Sequence, residues 1–240
     1  MEYDESEAAP MARVLLIEDD PAVRRGVTLG LHRRGHETEA VGTGEDGLEA
    51  LAAAPPDIVL LDLMLPGMSG LEVCRRVRGT SQVPIVVLSA RSDDIDVVVG
   101  LEAGADDYIV KPASDEVIEA RMRAVLRRLA PSQPDARAGD ERATYADLEI
   151  DRAALSVRKR GEDLALAPSE LKLLLFLSAW PERTFGRQQL LEEVWEHSYY
   201  GDFRLVDACV MRLRAKIEDD PRRPHYVQTV RGFGYRFGPL

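Results

Sequence analysis

The 240-residue sequence predicts two joined folds, a doubly wound α/β domain followed by a smaller α+β domain. Three observations predict them. Short apolar runs alternate strictly with amphipathic stretches through the first half. A segment rich in proline and small residues, Ala130–Gly139, then interrupts the pattern. Beyond it come alternating strands, three helical patterns and a terminal hairpin turned at glycine.

In the first half, Val14–Ile17, Ile58–Leu61 and Ile85–Leu88 are apolar at every position. Strands with both faces covered look like this, so they read as the buried strands of a parallel sheet. His36–Val41 and Asp106–Val110 are weaker strands. Helical periodicity fills the gaps at Ala22–Arg34, Gly44–Ala53, Gly70–Arg78, Asp94–Ala103 and Ser114–Leu129. Five strands alternating with five helices make a doubly wound domain over residues 12–130, preceded by a disordered acidic tail at 1–11 and followed by a flexible linker at 131–141.

In residues 142–240, Ala143–Ile150, Ala154–Arg158 and Leu164–Leu166 suggest short antiparallel strands. Pro168 opens a helix whose apolar residues form one broad face. Arg187–Trp195 and Arg204–Glu218 read as two more helices, the second with a cationic stripe of Arg204, Arg212, Arg214 and Lys216. Tyr226–Phe237 alternates around Arg231-Gly-Phe-Gly234, a hairpin with a turn that glycine permits. Strands, three helices and a hairpin in this order suggest a winged helix-turn-helix.

No apolar run approaches the length of a membrane span, and the start MEYDESEAAP lacks the basic-then-apolar order of a secretion signal, so a cytoplasmic location is expected. Cys74 and Cys209 fall in different domains and read as free thiols. The formal net charge of −11 is unevenly spread. Residues 1–136 hold 14 Lys+Arg against 25 Asp+Glu, whereas residues 137–240 hold 17 of each. The halves are therefore expected to have different partners, and a neutral half can bind DNA when its cations share one face.

Glu18-Asp19-Asp20 follows the first strand and Asp62 follows the third. Groups at the carboxyl ends of adjacent parallel strands converge on one crevice. Carboxylates gathered there need a cation among them, and hard oxygen donors suit Mg²⁺. Ser89 ends the fourth strand, and Lys111 stands before Pro112 at the end of the fifth. Acids, a divalent cation, a hydroxyl and a lysine are the parts of a phosphoryl-transfer site with an aspartate nucleophile. On composition alone, Glu18 or Asp19 serves as well as Asp62. Taken singly, the acidic pair is more often a solvated loop or helix cap, and Lys111-Pro112 more often a turn; it is their joint occurrence at strand ends that points to a site.

Leu16-Ile-Glu-Asp-Asp20, Leu60-Leu-Asp-Leu-Met-Leu-Pro-Gly67, Leu88-Ser-Ala90 and Asp106-Asp-Tyr-Ile-Val-Lys-Pro112 together resemble the signatures of bacterial response-regulator receivers. The resemblance runs from about Arg13 to Arg128 and implies a flavodoxin-like fold. It implies that Asp62 accepts phosphate from a sensor histidine kinase. Glu18, Asp19, Asp62 and the Met64 carbonyl would hold Mg²⁺, Ser89 and Tyr108 would be the switch pair, and Lys111 would contact the phosphate.

Similarly, Val206-Asp-Ala-Cys-Val-Met-Arg-Leu-Arg-Ala-Lys216 and Val227-Gln-Thr-Val-Arg-Gly-Phe-Gly-Tyr-Arg-Phe237 resemble the recognition helix and wing of OmpR/PhoB-type effector domains. That implies double-stranded DNA as a partner. Arg212 would contact a base, Arg204, Arg214, Thr229 and Tyr235 phosphates, and Arg231 the minor groove. Cys209 and Met211 stand where many relatives carry polar or basic residues, so readout would rest on fewer side chains. The loop Glu196–Asp202 is where the family can meet RNA polymerase.

When phosphorylated, receivers of this type form twofold dimers through the face holding the Asp94–Ala103 helix, the Asp106–Val110 strand and the Ser114–Leu129 helix. Asp106, Asp107, Arg121 and Arg128 fit its charged part, while Val97 and Val117 replace a common ion pair with apolar residues. Activation would raise the local concentration of two DNA-binding domains on tandem half-sites. Two other readings remain. A metal-dependent phosphohydrolase would need an acid-base aspartate two residues past the nucleophile, where this chain has Met64. A regulator that ignores phosphorylation would keep its DNA affinity in Asp62→Ala.

Overall fold

The computed structural model describes residues 12–90, 99–127, 142–195 and 203–238. The expected N-terminal tail, the linker, the first half of the Asp94–Ala103 helix with Val97, the Glu196–Asp202 loop and Arg128 lie outside the described residues.

The N-terminal domain runs β1 (Arg13–Ile17), α1 (Pro21–His32), β2 (Glu37–Val41), α2 (Gly44–Ala53), β3 (Ile58–Leu61), α3 (Gly70–Thr80), β4 (Ile85–Ser89), β5 (Asp107–Val110) and α4 (Asp115–Arg127). Residues 99–102 are helical. The strands make one parallel sheet in the order β2-β1-β3-β4-β5. Alternation along each strand covers both faces. Val14, Leu16, Ile58 and Leu60 pack with Val27 and Leu31 of α1 and Ile118 and Met122 of α4. Leu15, Ile17, Val59 and Leu61 pack with Val73, Cys74 and Val77 of α3.

The helices start where the sequence supplies caps. Asp20 accepts from the Ala22 and Val23 amides at 2.7 and 3.0 Å, with Pro21 opening α1. Thr43 and Ser69 do the same for α2 and α3 through the Asp46 and Glu72 amides. Register then fixes the site. Ile17 pairs with Leu61, Leu61 with Val87, and Ser89 with Val110, so Glu18, Asp62, Ser89 and Lys111 emerge at one edge.

The C-terminal domain opens with an antiparallel sheet of β6 (Arg142–Tyr145), β7 (Leu148–Asp151), β8 (Ser156–Lys159) and β9 (Glu162–Asp163). Helices α5 (Pro168–Ser178), α6 (Arg187–Trp195) and α7 (Arg204–Ile217) follow, then the hairpin β10 (Val227–Val230) and β11 (Gly234–Phe237). Two details differ from the sequence expectation. Ala143–Ile150 is two strands, because Ala146 takes a positive φ of 51° and turns the chain. Leu164–Leu166 is no strand. Its alternation reflects packing, with Leu166 buried and Leu164 against the core, while the polar Glu162–Asp163 pairs with Arg158 and Lys159.

The two domains share a core. Leu63, Leu101, Ala105 and Tyr108 of the first belong to the same apolar cluster as Leu173, Leu190, Trp195 and Val210 of the second.

Candidate functional site

At the carboxyl edge of the sheet, one oxygen each from Glu18, Asp19 and Asp62 lie within 4.8 Å of one another. Glu18 and Asp62 are buried and Asp19 is exposed. The Lys111 ammonium bridges them, 2.5 Å from Glu18 Oε2 and 2.6 Å from Asp62 Oδ2. Burial raises the Glu18 carboxyl above its ordinary value against the opposing pull of Lys111. Burial lowers Lys111, but hydrogen bonds to Asp62 and Glu18 outweigh it and hold the ammonium above its ordinary value. A buried acid that needs a cation, beside two more oxygen donors, fits a small hard divalent ion. Met64 belongs to the same loop, its amide donating to Asp62 Oδ1 at 2.9 Å.

Backbone contacts fix this loop. Arg24 donates to the Glu18 and Asp19 carbonyls at 2.6 and 3.1 Å. A Cβ on Gly70 would stand 2.0 Å from the Asp62 carbonyl oxygen, so only glycine lets α3 approach the acidic strand end so closely. The sequence expectation missed both. A lone arginine on an amphipathic helix carries no signal, and a glycine at the start of a helical pattern gives no sign of what packs against it. Asp20 is committed elsewhere, as the α1 cap, and its two amide partners hold its carboxyl below the ordinary value.

Ser89 is fully buried at the end of β4, and its carbonyl accepts from the Lys111 amide at 2.8 Å. Tyr108 is buried with its ring against Gly100, inside the core that holds Leu63 and is shared by the two domains.

The expected DNA contacts divide in two. Arg231 is exposed at the hairpin tip, beside Phe233, which is 73% exposed and was not singled out by the sequence. Thr229 is exposed, and its hydroxyl accepts from Arg214 at 2.8 Å. Arg214 also binds the Val227 carbonyl and lies over the Tyr235 ring. Tyr235 itself is buried. Its hydroxyl donates to Asp207 at 2.7 Å, and burial together with that bond pushes its pKa up to about 12. In this arrangement Tyr235 therefore braces the helix and does not face outward. Arg204 opens α7.

Arg212, the expected base contact, does not face solvent either. Its guanidinium binds the Leu101 carbonyl of the N-terminal domain, Glu170 Oε1 at 3.0 Å and, more distantly, Ser169. Asp106 sits beside it. One Asp106 oxygen accepts from Arg78 at 2.6 Å and the Ile85 amide at 3.0 Å. The other accepts from the Ser169 hydroxyl at 2.8 Å and its amide at 3.3 Å. The indole of Trp195, wholly buried, donates to the Asp106 carbonyl at 3.4 Å.

The residues expected on a dimer face are thus not all available. Asp106 and Asp107 are buried, Asp106 under the second domain and Asp107 beside Arg121 at 3.4 Å. Acidic residues at a strand edge read as surface, and sequence alone holds no sign that another domain covers them. Val117 and Val110 are each 43% exposed. Among the described residues, no helix is long and apolar enough to cross a membrane.

Residues 14–123 match the family described as response regulator receiver domain, and residues 161–237 match transcriptional regulatory protein, C terminal. The chain is 56% identical to the transcriptional regulatory protein AfsQ1 of Streptomyces coelicolor over 95% of this chain and 99% of that one. It is 34% identical to DrrB, a Thermotoga maritima OmpR/PhoB homolog of solved structure, over 95% and 99% of the two chains, with a TM-score of 0.49. A RitR mutant structure, 28% identical, covers 94% of this chain with a TM-score of 0.74. With the acidic strand-end cluster in a parallel sheet and a three-helix domain closed by a hairpin, the chain is a two-component response regulator, a receiver joined to a winged-helix DNA-binding domain that regulates transcription.

Proposed function

We propose that a sensor histidine kinase phosphorylates Asp62 and that this releases the DNA-binding domain from the receiver. The observation that carries the reading is the placement of Arg212 on the recognition helix. It is bound to a receiver carbonyl and so closed to a DNA base. Glu18, Asp19, Asp62 and the Met64 carbonyl would hold Mg²⁺, which would neutralise the transferring phosphoryl group. Asp62 is the acceptor, and Lys111 moves from the carboxylates to the new phosphate. Ser89 and Tyr108 relay the change, and Tyr108 lies in the core that both domains share, so a shift there disturbs the seam directly.

Once open, receivers pair through the face bearing Val110, Val117, Asp106, Asp107 and Arg121, with Val97 and Arg128 on the expected continuation of that face. Asp106 is held in the domain seam while the domains are closed, so opening adds it to the dimer face and strengthens a pairing that the rest of the face begins. Pairing then places two winged helices on tandem half-sites. Arg204, Arg212, Arg214, Thr229 and Arg231 supply the contacts, with Tyr235 holding the helix to the hairpin. RNA polymerase meets the Glu196–Asp202 loop, and the protein works in the cytoplasm. Asp62 is an acceptor that does not turn over, since position 64 is Met and not an acid-base aspartate.

Selection from a random duplex pool tests this, with and without a small phosphodonor plus Mg²⁺ and with Asp62→Ala as control. Phosphodonor sharpens selection toward a repeated motif in the wild type alone. Equal selection in all samples removes phosphorylation as the control.

A further inference from the structure

Glu170 is the third residue of α5 and is 1% exposed, yet it faces two cations of the recognition helix. Its two oxygens are used differently. Oε2 accepts from the Ala167 amide at 2.9 Å and from the Lys216 ammonium at 2.7 Å. Lys216 is itself held by the Ala165 carbonyl at 2.8 Å. Oε1 is left for Arg212, whose Nε it binds at 3.0 Å.

With Nε taken, the guanidinium can offer only its far end. Nη1 meets the Leu101 carbonyl across the domain seam, and Nη2 lies 3.4 Å from the Ser169 hydroxyl within its own domain. A carbonyl oxygen is the same class of acceptor as the guanine major-groove edge. Leu101 leaves when the domains part, whereas Glu170 and Ser169 belong to the same domain as Arg212 and stay with it.

We propose that Glu170 is a positioning residue that holds Arg212 end-on for a guanine edge and keeps it from the phosphate backbone. This rests on the reading of Arg212 as a base contact. The charge argument gives the choice between base and phosphate. A carboxylate 3.0 Å behind the guanidinium offsets its charge, and charge is what a phosphate contact uses. It leaves the directional N–H donors in place, and those are what a guanine edge uses. The carboxylate also opposes close approach of a phosphate. Its second duty, capping α5, needs only an acceptor oxygen, and glutamine supplies one.

The test selects duplexes from a random pool with the full-length protein, phosphodonor and Mg²⁺, comparing wild type, Glu170→Gln and Arg212→Ala. The wild type is expected to demand guanine at a position in each half-site, and Arg212→Ala to lose that demand. Glu170→Gln should weaken it by about tenfold. Its binding to unrelated duplex should hold or rise, and its salt dependence should steepen by about one released ion. Guanine preference that stays at the wild-type level in Glu170→Gln while Arg212→Ala loses it overturns the role of Glu170 alone. Wild-type preference in Arg212→Ala overturns the base-contact reading and the proposal with it. Equal loss on selected and unrelated duplex, tracking a lower Tm, leaves Glu170 a structural group and also overturns the proposal. Should Glu170→Gln not fold, Glu170→Asp carries the same comparison, with the charge kept but withdrawn from Arg212.

Discussion

The Ser169 hydroxyl donates a 2.8 Å hydrogen bond to Asp106, joining the first turn of a DNA-binding-domain helix to the strand edge of the receiver. Both residues are 1% exposed. A buried hydrogen bond to a charged group contributes about 1.5–3 kcal/mol. This bond is formed only when the domains are closed, so its energy counts toward closure.

Ser169→Ala removes the hydroxyl and leaves the backbone amide on Asp106. The closed form weakens, and DNA affinity without phosphodonor should rise by about tenfold, since 1.4 kcal/mol is that factor. Titration of a selected duplex by fluorescence anisotropy measures it. Unchanged affinity in a variant of unchanged Tm means that the bond does not hold the domains together.

Lys111 takes the position of a cation between Glu18 and Asp62. Lys111→Ala leaves the two carboxylates facing each other, and the receiver should lose stability. Millimolar Mg²⁺ should restore it, because an ion that binds only the folded form stabilises by mass action. The rise in Tm on adding Mg²⁺ should therefore be larger in Lys111→Ala than in the wild type. A rise that vanishes in the variant would place the metal elsewhere.

Cys209 lies on the recognition helix and Cys74 on α3, both buried. Burial pushes their thiols up to about 12 and about 11. An upward shift favours the protonated form, so both stay thiols through pH 8, and the thiolate needed for alkylation is scarce. Iodoacetamide at pH 8 should leave the folded protein unmodified and label both residues in denaturant. Loss of DNA affinity on mild oxidation that Cys209→Ser abolishes would contradict this.

Val117 and Val110 leave apolar surface on the face expected to pair receivers. An apolar contact does not depend on phosphate as a charged one does. Sedimentation at high micromolar concentration should therefore show dimers without phosphodonor, and Val117→Glu should shift them to monomers. A strictly monomeric wild type would remove this surface as a source of pairing.

Much of the receiver was legible because its signals are local. Strands apolar at every position, such as Ile58–Leu61, announce a parallel sheet, and register then forces Glu18, Asp62 and Lys111 together. The winged helix was legible at the level of elements, where Pro168 and Arg231-Gly-Phe-Gly234 mark a helix start and a turn. What lies between the domains was not. Asp106 and Arg212 read as surface charges, because burial by a second domain leaves no periodic trace in either segment. Glu170 was hidden for another reason. A glutamate at the third position of a helix already has a use as a cap, and its hold on Arg212 spans 42 residues.

The central claim is that phosphorylation of Asp62 parts the two domains and exposes the recognition helix. Nitroxide labels at Arg75 on α3 and Glu192 on α6, both exposed, report their separation by pulsed electron resonance while the two buried cysteines stay unlabelled. Phosphodonor with Mg²⁺ should lengthen and broaden the distance distribution in the labelled protein and leave it unchanged when Asp62→Ala is added. A distribution that stays fixed while DNA affinity rises would contradict the claim, because the switch would then work with the domains still closed.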